Sequence, residues 1–94
     1  MVTHELKTWP VFYDAVARGE KTFEARKDDR GFQKGDKLVL IRTREDDVSR
    51  IEYSYTTGKP QYTMEFIVGH VLHGGQFGVE PGWCVMSLLP VPTV

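Results

Sequence analysis

GEKTFEARKDDRGFQKGD, residues 19–36, decides how the rest of the chain is read. Its segment KTFEARK alternates with period two. Lys21, Phe23, Ala25 and Lys27 share one face, and Thr22, Glu24 and Arg26 share the other. The pattern predicts a strand with Phe23 and Ala25 toward the core and Glu24 and Arg26 projecting together on the opposite face. DDRGFQKGD predicts a loop, with Gly31 and Gly35 at its bends.

Upstream, THELKT is short and alternating, which predicts a strand. TWPVFYDAVARGEK predicts a helix of about ten residues. Thr8 is the expected N-cap, Pro10 suits the first turn, and Gly19 closes the helix. Val11, Phe12, Ala15 and Val16 recur at helical spacing. Downstream, KLVLIRT predicts a strand buried on both faces, and REDDVSR an exposed segment. IEYSYTTGKPQYTMEFIVGHVL predicts a long hairpin turning at residues 57–60. HGGQFGVEPG reads as a glycine-rich loop, WCVMSLL as a last strand, and residues 90–94 as a tail. One helix and five or six strands, without helices between the later strands, predict an α+β, mainly β fold. Mostly antiparallel pairing is expected. At this size the sheet is expected to curl into a small barrel.

The composition sets bounds on function. The chain has 94 residues, 40% hydrophobic and 27% charged, as expected for one small domain over residues 1–94. A net charge of -1 leaves no global field for nucleic acid, although a local basic patch still fits. The single cysteine, Cys84, cannot form an internal disulfide and fits a reducing compartment. MVTHELKTW lacks the layout of a signal peptide, and no apolar run is long enough to span a bilayer. A cytoplasmic protein is expected.

The same residues resemble a known family. A glycine-ended helix, Lys-x-x-Glu-x-Arg and a Gly-Asp pair before a strand resemble the signature of ASCH domains, in the PUA-like superfamily of small β-barrels. Here the positions are Gly19, Lys21, Glu24, Arg26, Gly35 and Asp36. HELKTWPVFYDAV and HGGQFGVEPGWCVMSL extend the resemblance to small ASCH-like proteins of bacteria and phages. It covers most of the chain, except residues 45–62 and the tail. It implies RNA or nucleotide binding in a cleft between helix and barrel. It also implies an alternative, an amidohydrolase acting on a modified nucleoside such as acetylated cytidine. That chemistry uses a lysine and a threonine on the signature strand. Lys21 matches the lysine, but Glu24 stands where the threonine hydroxyl is needed.

Weighed singly, Glu24 and Arg26 are either a surface ion pair or a ligand site. Arg26 offers a planar fork for phosphate or a base edge, and Glu24 can accept from an exocyclic amine. Lys21 is an exposed lysine, a partner of Glu24 or a contact to an anion. Lys21 and Glu24 are the catalytic candidates if there is an enzyme. Lys7 and Gln76 are secondary binding candidates. Lys7, Lys27, Arg30 and Lys34 extend a possible basic patch, blunted by Glu20, Asp28 and Asp29. Trp9 and Phe32 flank this region and could stack on bases, but packing is expected of both, Trp9 at the helix start and Phe32 at the barrel end. His4, His70, His73 and Cys84 lack the framework of a zinc site, so neither metal nor cofactor is expected. Cys84 is expected to be a buried thiol. A protein-interaction module, using a sheet edge or residues 45–62, is the remaining alternative.

Overall fold

The computed structural model describes residues 1–92. The element order is β1 (Thr3–Thr8), α1 (Pro10–Ala17), β2 (Phe23–Lys27), β3 (Lys37–Arg42), β4 (Thr63–His73) and β5 (Trp83–Pro90). The strands form one mixed sheet in the order β1-β3-β4-β5-β2. β1 and β3 pair in parallel, and the other three pairings are antiparallel. The result is a mainly β, α+β half-barrel with one helix. No helix among the described residues is long and apolar enough to cross a membrane.

β1 alternates as the sequence predicts. His4, Leu6 and Thr8 point inward, and Thr3, Glu5 and Lys7 point outward. That alternation changes the helix cap. Thr8 is not the N-cap. It ends β1 with its side chain inside, and its Oγ1 donates to the Leu6 carbonyl at 3.1 Å. Trp9, in extended conformation, occupies the cap position with no side-chain cap bond. The Trp9 carbonyl accepts from the Phe12 and Tyr13 amides at 3.0 and 2.8 Å. The helix spans eight residues, and its buried side chains are Pro10, Tyr13 and Val16. Val11 and Phe12, expected on the buried stripe, are exposed. Gly19 follows the Arg18 cap at φ +78°, where a side chain is disfavoured, and its N–H bonds the Val16 carbonyl.

The core is Leu6, Phe32, Leu38, Leu40, Val68, Cys84, Met86 and Leu88, closed on one side by Tyr13 and Val16. Cys84 is fully buried, as expected. Phe32 packs edge-on to His4, with ring centroids 4.7 Å apart. The Gly-Asp pair has a structural task. Asp36 accepts from His4 Nε2 at 2.9 Å, from the Gln33 N–H at 3.0 Å and from the Val2 N–H at 3.2 Å. Burial pushes its carboxyl up, but the bonds from His4, Gln33 and Val2 outweigh this and hold it below the usual range.

The hairpin expected over residues 51–72 forms only at its tip, where the Ser54 N–H bonds the Lys59 carbonyl and the Gln61 N–H bonds the Glu52 carbonyl around the expected turn. Only isolated bridges, Thr43 to Ile51 and Tyr53 to Pro60, precede the start of β4 at Thr63. Pro60 has no N–H for a ladder, and most side chains from 44 to 62 are exposed, leaving little apolar burial to hold strands there. The expected tail begins late. Pro90 belongs to β5 and pairs with Phe66. The last two residues of that tail, 93–94, lie outside the described residues.

Candidate functional site

β1 and β2 are the two outer strands of the sheet, and they face each other across an open seam. Two arginines from the β2 side reach over it. Arg26 Nη2 donates to the Lys7 carbonyl at 2.8 Å, and Arg30 Nη1 to the Glu5 carbonyl at 2.8 Å. A cleft of about 810 Å³ runs along this seam and under the start of α1.

β2 is held from one side only. Its ends are fixed where the Leu88 N–H bonds the Thr22 carbonyl and the Asp28 N–H bonds the Gly82 carbonyl. Glu24 and Arg26 share a face, as the alternation predicts, but that face is the inner one. Glu24 is 3% exposed, whereas Phe23 is 45% exposed. The expectation that Phe23 and Ala25 face the core is therefore reversed. Period two groups residues without saying which group is inside. Here the charged group is tolerated inside because Glu24 offsets one of the two positive charges it contacts, and both cations keep some access to water.

The geometry of that pairing is specific. Lys21 Nζ lies 2.7 Å from Glu24 Oε1, and Arg26 Nε lies 2.9 Å from Glu24 Oε2. Both carboxylate oxygens carry a cation, each with lone pairs left for a further donor. Lys21 Nζ also donates to the Phe23 carbonyl at 2.6 Å. It sits 4.8 Å from the Phe23 ring centroid and 5.8 Å from that of Phe12. Arg26 Nη2 donates further to Thr8 Oγ1 at 3.2 Å, while Nη1 makes no hydrogen bond to the described residues. The site thus combines a buried anion, two cations with donor capacity in reserve and an aromatic wall.

The other candidates fall as follows. Lys7 lines the cleft, but its ammonium donates to the Ser49 carbonyl at 3.1 Å. Lys27 and Arg30 join the lining, and Lys34 does not. Glu20 and Asp29 stand among them, leaving five cations against three carboxylates. Gln76 stands apart from the cleft and donates to the His73 carbonyl at 2.9 Å. Trp9 packs at the start of the helix and outside the core. It is 53% exposed and stacks on Phe12, with centroids 5.9 Å apart. His4 is committed to Asp36, and His73 Nδ1 contacts Asp28 at 3.0 Å. Among the described residues, no three His, Cys, Asp or Glu side chains are grouped to hold a metal.

The whole construction, from β1 through most of β5, lies inside one recognised family unit. The chain belongs to the family described as Domain of unknown function (DUF3850). The match covers residues 3–88 and so includes every residue of the Lys21–Glu24–Arg26 cluster and the aromatic wall. Among curated proteins, none matches this DUF3850 chain. Sequence reasoning placed Trp9 beside the site but missed the rest of its aromatic side: Phe12, Phe23 and Trp83 line the cleft with it. The signal lay in the charged alternation of β2. Once Glu24 and Arg26 go inside, Phe23 must come out.

Proposed function

We infer that this chain is an RNA- or nucleotide-binding module of ASCH type, acting in the cytoplasm. Its half-barrel is a PUA-like barrel whose seam is drawn together by side chains. The observation that carries the reading is Glu24, buried between Lys21 and Arg26 in a cleft walled by aromatic rings. Aromatic faces stack bases of any sequence. Arg26 and Lys21 meet phosphate or a base edge, and Glu24 accepts from an exocyclic amine. The resemblance of GEKTFEARKDDRGFQKGD to the ASCH signature supports the same reading.

A second reading is a small amidohydrolase acting on a modified nucleoside. The 2.7 Å contact between Lys21 and Glu24 favours it, since it brings a potential acid–base pair to the cleft. One experiment separates the two. Ligand-observed NMR is recorded with nucleosides, acetylated cytidine and short single-stranded RNAs, on wild type and on a Glu24→Ala/Arg26→Ala variant. Binding that the variant loses, and that weakens several-fold as salt rises, is the expected result. Product peaks growing over hours with wild type alone move the assignment to the hydrolase. A folded wild type that binds nothing in the panel overturns both.

A further inference from the structure

The chain has two tryptophans, and both line the same cleft at opposite ends of β2. Trp9 stacks on Phe12, and Lys21 Nζ lies near both the Phe12 and the Phe23 rings. The Trp9–Phe12 stack therefore stands at the Phe23 end of β2. Trp83 stands at the other end, paired across the sheet with Lys27. Phe23 and Lys27 are four residues apart, which is about 13 Å of strand. Between them Ala25 lines the cleft with only a methyl group. Neighbouring bases in a stacked strand are about 3.4 Å apart, so neither one base nor two adjacent stacked bases can touch both ends. The cleft is also large, near the top of the range of roughly 300–1,000 Å³ for sites that enclose one small molecule.

We propose that the ligand is a short single strand of nucleic acid, at least three nucleotides long, with one base on the Trp9–Phe12 stack and another on Trp83. This rests on the nucleotide-binding reading above and adds the length of the ligand and the second platform. The backbone between the two bases passes Arg26, whose Nη1 has no partner among the described residues, and Lys27. Trp83 is a length-sensing contact, and a single nucleoside leaves one platform empty.

The two tryptophans make the test direct. Trp9→Phe and Trp83→Phe each leave one fluorophore and keep a ring at the substituted position. Each is titrated with cytidine and with cytidine di- and trinucleotides. Trinucleotides lacking one terminal base, at either end, keep the phosphates and remove a stacking partner. The expected result is quenching of both fluorophores over the same trinucleotide concentrations. The trinucleotide should bind between about five-fold and about a hundred-fold more tightly than cytidine. Loss of either terminal base, or Trp83→Ala, should erase most of that gain. Equal affinity for cytidine and trinucleotide, or quenching of Trp9 alone, overturns the two-platform site and leaves nucleotide binding intact. No binding by fluorescence or NMR from a folded protein overturns both together.

Discussion

At the scale of single residues, two buried carboxylates do different work. Glu24 pairs with two cations that are each no more than a quarter exposed, leaving the cluster a net charge of +1. Glu24→Gln keeps the shape and removes the charge, leaving Lys21 and Arg26 facing each other. We expect a loss of about 2 kcal/mol in urea unfolding, below the roughly 3–5 kcal/mol of fully buried pairs because both cations retain some water. A change under 0.5 kcal/mol would count against the cluster as a structural element. Asp36 is the other case. Its folded carboxyl titrates below its ordinary range, so its contribution is complete above about pH 5 and is lost as the pH falls through and below about pH 4. Asp36→Asn should be less stable at neutral pH and show a flatter acid limb, followed by thermal melts from pH 7 to pH 2.5.

At the scale of elements, β4 shows how one residue redirects a strand. The pairing of β4 with β5 shifts between Val68 and Val71, inserting an extra residue. Gly69 sits in that bulge, and the His70 N–H donates to Ser87 Oγ at 2.8 Å. A Cβ on Gly69 would lie 2.4 Å from Ser87 Oγ and 3.1 Å from Leu89. Gly69→Ala should therefore cost about 1–3 kcal/mol. Gly69→Ala/Ser87→Ala should recover part of it, a coupling readable in a double-mutant cycle. The Gly74–Gly82 loop carries the opposite kind of strain. Phe77 adopts φ +49° while 88% exposed, next to Gly78 at φ +77°. Its ring buys no core contact for that conformation. Phe77→Gly should raise stability by about 1 kcal/mol, relieving the left-handed penalty at a position with no packing to lose. A lower midpoint in chemical denaturation would contradict this.

Element boundaries were legible where one face is buried. THELKT and KLVLIRT read correctly as strands because alternation or dense apolar content leaves few ways to pack them, although KLVLIRT buries Leu38 and Leu40 on one face fully and the other face only in part. The helix was legible from Pro10 and Gly19, but its buried face was not. Thr8 was committed to the strand before it, and Val11 and Phe12 border a cleft instead of the core. Within residues 45–62 the turn before Pro60 was legible, but the long strands expected to flank it were not. Their β-rich tyrosines and threonines suggest strands, yet no facing apolar layer exists to fix them.

At the scale of the whole molecule, three antiparallel pairings and one parallel pairing build a half-barrel from five strands. The parallel pairing of β1 with β3 could not be read from the short spacing alone, because α1, β2 and a loop together make the crossover. For the site, the grouping of Glu24 with Arg26 and the nearness of Lys21 were legible from spacing. Which side they occupy, and which rings accompany them, depends on β2 lying at the sheet's margin, which is a property of topology.

Arg26 and Arg30, which span the seam, have a consequence for life at high concentration. A bare outer strand offers its carbonyls to the strand of any passing chain, and growth of disordered or fibrillar assemblies starts there. On β1 the Glu5 and Lys7 carbonyls already have partners. Arg26→Ala/Arg30→Ala leaves them bare without touching the hydrophobic core. Light scattering at rising protein concentration should then report self-association in the variant while the wild type stays monodisperse. In this chain the Arg26 guanidinium both borders the cleft and caps a carbonyl of the outer strand, so one side chain serves the site and the sheet edge.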